Sequence, residues 1–101
     1  MGFNPQKMLM QMQQDAARIQ AELEATRIEA SAGGGVVKAT VTGKGDLVGL
    51  AIDPAAVDPD DVEMLEDLVV TAVADAVKQA HDLEAQRMGA LTAGLRIPGL
   101  G

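Results

Sequence analysis

The chain has a single histidine, His81, and it is followed directly by Asp82. A histidine–carboxylate pair can serve as a general base, but neighbouring side chains on a helix point apart. A solvated helix histidine is the simpler reading. Asp58, Asp60, Asp61 and Glu63 are spaced closely enough to suggest a hard-cation site. They also coincide with a helix start, where negative charge is favoured without any metal. Gly43-Lys44-Gly45 has the look of a phosphate loop, yet GKGDLVG fits neither GxGxxG nor GxxxxGK[ST], and a strand follows it instead of a helix. There is no cysteine, which removes disulfides, thiolate ligands and thiol catalysis. With no nucleophile–base pair and no ligand set, the sequence predicts a non-enzyme with no cofactor, metal or small-molecule substrate.

Phosphate recognition is the chemistry that remains. The eight basic residues are Lys7, Arg18, Arg27, Lys38, Lys44, Lys78, Arg87 and Arg96, and none forms a run. Scattered solubilising charge is the simpler account. However, Lys7, Arg18, Lys78 and Arg87 fall on two helical stretches, and a dimer would double them into several salt-sensitive phosphate contacts. The net charge of −7 and a pI near 4.4 oppose any broad grip on nucleic acid. Phe3 is the only aromatic residue, so base stacking has little to work with. The methionines Met8, Met10, Met12, Met64 and Met88 read as packing filler on helices.

These residues must be positioned by the elements around Gly35–Pro54. Val37, Ala39 and Val41 alternate with polar residues, as do Val48, Leu50 and Ile52, a period of two that predicts strands over 36–42 and 47–53. Gly43–Asp46 can take positive φ and reverse the chain, and Pro54 ends the ladder. Before the hairpin, Asn4-Pro5 starts a helix over 5–25 with Leu9, Met12, Ala16, Ile19, Leu23 and Thr26 along one seam. Residues 26–32 then alternate and read as a third strand, with helix continuation through 31 as the competitor. Asp58-Pro59 opens a second helix over 59–88, broadly apolar up to Val77 and narrower from Lys78 onward. Residues 89–101, rich in glycine and containing Pro98, read as a flexible tail.

The sum is α+β: an α-β-β-β-α protomer in one domain over 1–88, with a small three-stranded antiparallel sheet and two long helices. The second helix, about 45 Å by rise per residue, exceeds the roughly 26 Å span of a compact chain of this length. The helices therefore project, and open sheet edges invite a homodimer. Val37, Val41, Val48, Leu50, Ile52, Leu65 and Val69 are the expected core and dimer residues. Neither a signal peptide nor a run of about 18 apolar residues is present, so a cytoplasmic protein without membrane contact is expected.

The order of the pieces resembles the YbaB/EbfC family of bacterial nucleoid-associated proteins. The matching features are Val37-x-Ala39-x-Val41-x-Gly43, then Ile52-Asp53-Pro54, then Met64-Leu65-Glu66-Asp67-Leu68, between the helix KMLMQMQQDAARIQAEL and an apolar Gly/Pro tail. The resemblance implies a tweezer-like homodimer that binds duplex DNA with little sequence preference, sits in the nucleoid and takes part in nucleoid organisation and gene regulation. It assigns the DNA contacts to the projecting helices, hence to Lys7, Arg18, Lys78 and Arg87. One departure stands out: Lys78 is followed by Gln79 and Arg87 by Met88, where relatives often carry adjacent basic residues. Weak, salt-sensitive binding is expected. The alternative is a protein-interaction module whose arms or tail (Leu95, Ile97, Leu100) engage a partner in recombination or repair.

Overall fold

The computed structural model describes Gly2 and residues 4–93. Five main elements follow one another: α1 (Pro5–Ala25), β1 (Arg27–Ala32), β2 (Val37–Thr42), β3 (Leu47–Ile52) and α2 (Val62–Ala93), with 3-10 turns at Gly33–Gly35 and Pro54–Ala56. The Asn4 side chain accepts from the Lys7 amide at 3.2 Å, which caps α1, and Pro5 stands in its first turn. At the other end the Thr26 hydroxyl donates to the Glu22 carbonyl at 2.7 Å. Thr26 itself is extended, so helix continuation is excluded and β1 begins. β1 pairs antiparallel with β2 within the same chain, Arg27 opposite Thr42 and Ala32 opposite Val37. Gly33, Gly34 and Gly35 link them with φ of 63°, 74° and 98°, a left-handed path that side chains with a Cβ rarely follow.

β2 pairs in turn with β3: Val37 lies opposite Ile52, Ala39 opposite Leu50 and, past a bulge, Val41 opposite Leu47. The bulge corrects the expected alternation, because the residue facing Val41 is Leu47 and not Val48. Bulges of this kind commonly occur at sheet edges, and β3 is an edge strand.

α2 packs over β1 and β2. Its buried stripe is Ala72, Ala76 and Ala80, each at 0% exposure and meeting Val37, Ala39 and Val41 at 0%. Small side chains at every fourth position bring the helix backbone close to the sheet. Leu65 and Val69 flank this core half-buried. β3 is not covered in the same way. Leu50 and Ile52 share a face with buried residues of β2, yet they are 45% and 37% exposed, and Leu47 and Val48 are exposed too. Of the expected core residues, Val48, Leu50 and Ile52 therefore lie outside the protomer core, because the helix reaches only two strands.

The bounds of α2 also differ from expectation. Asp58, expected as the cap, instead accepts from the Asp60 amide at 2.9 Å and holds a turn. Asp61 is the residue that caps, accepting from the Met64 amide at 3.3 Å, so the helix starts at Val62 and not at Pro59. It continues past Met88 to Ala93. Residues 89–93 of the expected tail are thus helical, and 94–101 lie outside the described residues.

From about Ala80 onward α2 leaves the sheet and packs against α1, where Ile19 and Leu23 are buried. The Gln20 amide donates to the Met88 sulfur at 3.9 Å across this pair. The radius of gyration is 19.7 Å and the extents are 72 × 25 × 16 Å, against about 13 Å for a compact chain of this length. The helix pair is a projecting arm.

Gly43 joins the arm to the body. Its amide donates to the carbonyls of Leu23 (2.8 Å) and Thr26 (3.1 Å). Its φ is not positive; of the β2–β3 turn only Gly45 uses that region. Gly43 is needed for closeness, since a Cβ there would lie 2.6 Å from the Leu23 carbonyl oxygen. Gly43→Ala should cost about 1–3 kcal/mol by forcing α1 off the strand, read as a lower urea midpoint with an unchanged slope.

Candidate nucleic-acid interface

All four candidate phosphate-binding residues lie on the arm helices, but they do not form one cationic patch. Lys7 is in the first turn of α1, and among the described residues it makes no ion pair. Lys78 Nζ lies 3.7 Å from the Asp82 carboxylate on the same helix. Arg18 reaches Glu22 Oε1 at 3.2 Å through Nη1 and Asp15 at 3.9 Å through Nη2. Arg87 crosses from α2 to α1 and places Nη1 3.8 Å from Glu22 Oε2. The structure thus brings Arg18 and Arg87 together on one carboxylate and leaves Lys7 and Lys78 apart.

The sequence shows Asp82 beside the last helix's cations, where it dilutes their field, but not which cation each of Glu22, Asp15 and Asp82 pairs with. The pairs within one helix could have been found from their three- and four-residue spacing. The Arg87–Glu22 pair could not, because it exists only once the helices pack. These pairs are exposed, and solvent-facing ion pairs contribute about 0.2–1 kcal/mol. Arg18–Glu22 and Lys78–Asp82 also run base before acid along the helix, the less favourable order. A phosphate can compete for cations held this loosely.

The acidic charge is far from evenly spread. Residues 53–67 carry seven of the fifteen carboxylates and none of the eight Lys and Arg. The eight remaining acids balance the eight cations, so the whole net charge of −7 comes from this segment. It contains the start of α2, at the body end, whereas α1 meets the opposite end of α2. The molecule has an acidic body pole and an arm that is close to neutral. A polyanion is repelled from the first and admitted to the second.

Among the described residues His81 makes no side-chain hydrogen bond and no ion pair. It lies with Val69, Val70, Val73, Ala74, Val77, Lys78 and Asp82 along an apolar groove of about 780 Å³ on α2. A Cβ on Gly45, in the β2–β3 turn, would come within 3.3 Å of its Nε2, which puts the groove on the β3 side of the helix. Val70 in this groove is 66% exposed. Among the described residues no group of three His, Asp or Glu side chains is arranged to hold a metal, and no helix is long and apolar enough to cross a membrane.

Comparison with known proteins agrees with this architecture. The chain is 53% identical over 103 residues to a nucleoid-associated protein of Desulforamulus reducens, covering 99% of this chain and 98% of that one. It is 54% identical to one of Streptomyces avermitilis, with 96% and 91% covered. It is 48% identical to one of Pelotomaculum thermopropionicum, with 99% and 98% covered. Among solved structures, the crystal structure of an uncharacterized protein from Helicobacter pylori superposes with a TM-score of 0.72 at 22% identity, covering 94% of this chain and 100% of that one; at that identity it supports the fold alone. The model of the YbaB/EbfC DNA-binding family matches residues 2–95, and the chain belongs to that family.

Proposed function

We propose that the protein is a nucleoid-associated homodimer that grips duplex DNA between its helical arms, with little sequence preference, and so contributes to nucleoid organisation and gene regulation in the cytoplasm. The observation that carries this reading is the division of charge: Lys7, Arg18, Lys78 and Arg87 are all on the two long helices, Lys78 just before α2 leaves the sheet, and the net negative charge is all between residues 53 and 67. Contacts from such side chains go to phosphates, which fix position and carry no sequence information. Among the described residues the pair of antiparallel helices offers no separate recognition helix to enter a major groove. Few and partly neutralised cations imply weak binding that falls steeply with salt.

The dimer reading rests on the open side of the body. Leu47, Leu50 and Ile52 of β3 and Val69, Val70, Val73 and Val77 of α2 border one apolar surface. The free edge of β3 runs beside it. A second copy turned about a two-fold axis buries both, and it holds two arms at a fixed distance. A second reading, in which the arm engages a protein partner, is favoured by the exposure of Leu9 and Met10 on α1. Pull-down under nuclease, with and without residues 89–101, separates it from the first.

Two outcomes test the proposal. Leu50→Glu places a charge in the apolar surface and should shift the protein from dimer to monomer in sedimentation velocity; a variant that stays dimeric rules out this face. In fluorescence anisotropy on a mixed-sequence duplex, Lys7→Glu with Arg87→Glu, neither of which lines the apolar groove, should lower affinity at least about tenfold at ~50 mM salt while the dimer persists. Unchanged affinity would remove the arm as the contact.

A further inference from the structure

Two guanidinium groups from different helices converge on the two oxygens of one carboxylate. Arg18 of α1 donates to Glu22 Oε1 at 3.2 Å, and Arg87 of α2 stands 3.8 Å from Glu22 Oε2. All three side chains are open to solvent, at 63%, 54% and 46% exposure for Arg18, Arg87 and Glu22. The buried apolar contacts of α1 come from Ile19 and Leu23, and not from these charged side chains.

We infer that Arg18 and Arg87 form one composite phosphodiester site, and that the Glu22 carboxylate is its intramolecular occupant. The inference rests on the duplex-DNA reading above and adds a regulating residue to it. The planar fork of an arginine fits a carboxylate and a phosphate in the same way, through donors spaced for two anionic oxygens. Here each arginine already presents one nitrogen to a different oxygen of the Glu22 carboxylate, Arg18 at hydrogen-bond distance and Arg87 at 3.8 Å. The two non-bridging oxygens of a backbone phosphate offer the same pair of acceptors. For DNA to enter, Glu22 must swing away, and its negative charge stays close by. Glu22 therefore sets how tightly the arm holds DNA without touching it; it is a positioning residue.

The pairing is unequal. Asp15 lies 3.9 Å from Arg18, so Arg18 keeps one acidic neighbour when Glu22 is neutralised. No other ion pair holds Arg87 among the described residues. Arg87 is consequently the cation that Glu22 restrains most, and the effect of losing Glu22 is transmitted through it.

The test is anisotropy on a labelled mixed-sequence duplex, titrated from about 20 to 300 mM salt, with the full chain. The variants are Glu22→Gln, Glu24→Gln, Arg87→Gln, and Glu22→Gln combined with Arg87→Gln, the last compared with Arg87→Gln alone. Glu24 is exposed on the same helix and makes no ion pair among the described residues, so its variant changes net charge equally. Glu22→Gln should bind about threefold to tenfold more tightly at ~0.1 M salt, with a log–log salt slope steeper by about 0.9 for each phosphate gained. Glu24→Gln should do neither, and the gain should vanish when Arg87 is also replaced. A salt slope that stays at the wild-type value, an equal gain in Glu24→Gln, or a gain that survives loss of Arg87 overturns the composite site while leaving DNA binding intact. Weaker binding by Glu22→Gln also overturns it, and shows that the residue only ties the helices together. No binding by any of the proteins at ~20 mM salt removes the DNA reading and the site with it.

Discussion

A three-stranded sheet is wider than one helix can cover, and most of this molecule follows from that mismatch. Strands about 4.8 Å apart present an apolar face that extends past a helix of about 10 Å diameter. α2 settles over β1 and β2, where Ala72, Ala76 and Ala80 let it approach Val37, Ala39 and Val41. β3 is left with Leu50 and Ile52 turned toward a helix that does not reach them. The uncovered strip and the groove along α2 form one surface, and the free edge of β3 lies beside it. This open face is what the proposed dimer would bury.

The same helix determines the arm. α2 is longer than the sheet it covers, so its second half has no body to pack on and takes α1 as its partner. The join is held where the end of α1 meets the start of the β2–β3 turn: the Leu23 carbonyl accepts from Gly43, and Gly43 has no side chain to hold the two apart. Through that contact the arm keeps its direction relative to the sheet. Any function that needs two arms at a set separation depends on it.

Charge is arranged along this axis. The carboxylates of residues 53–67 lie at the body end, partly because Asp53, Asp58 and Asp61 each satisfy an amide at a turn or helix start. The same carboxylates make this end the acidic pole of the molecule. On the arm, acids and bases alternate closely enough to pair, and the pairs are exposed and weak. On the proposed reading, such an arm would hold DNA reversibly, with a grip governed by salt.

Much of this was legible in the residues. Asn4-Pro5 started α1, the alternation at 37–41 marked β2, and Gly33–Gly35 marked the turn, because each is a local backbone or solvent preference that acts at the same place in any context. The four arm cations could likewise be assigned to helices from periodicity. The sequence did not reveal that Asp61 and not Asp58 caps α2, since several acids in a row can each satisfy an amide and only the final path selects one. Nor did alternation tell which apolar strand residues are buried: Val41 and Leu50 look alike in the chain, and the width of one helix separates them. The sequence by itself determined the elements, their order and the family, all of which rest on short-range pattern. Tertiary structure decided which apolar face stays open and which cations are held by which acids. Those depend on distances between residues as far apart as Glu22 and Arg87, and packing alone sets them.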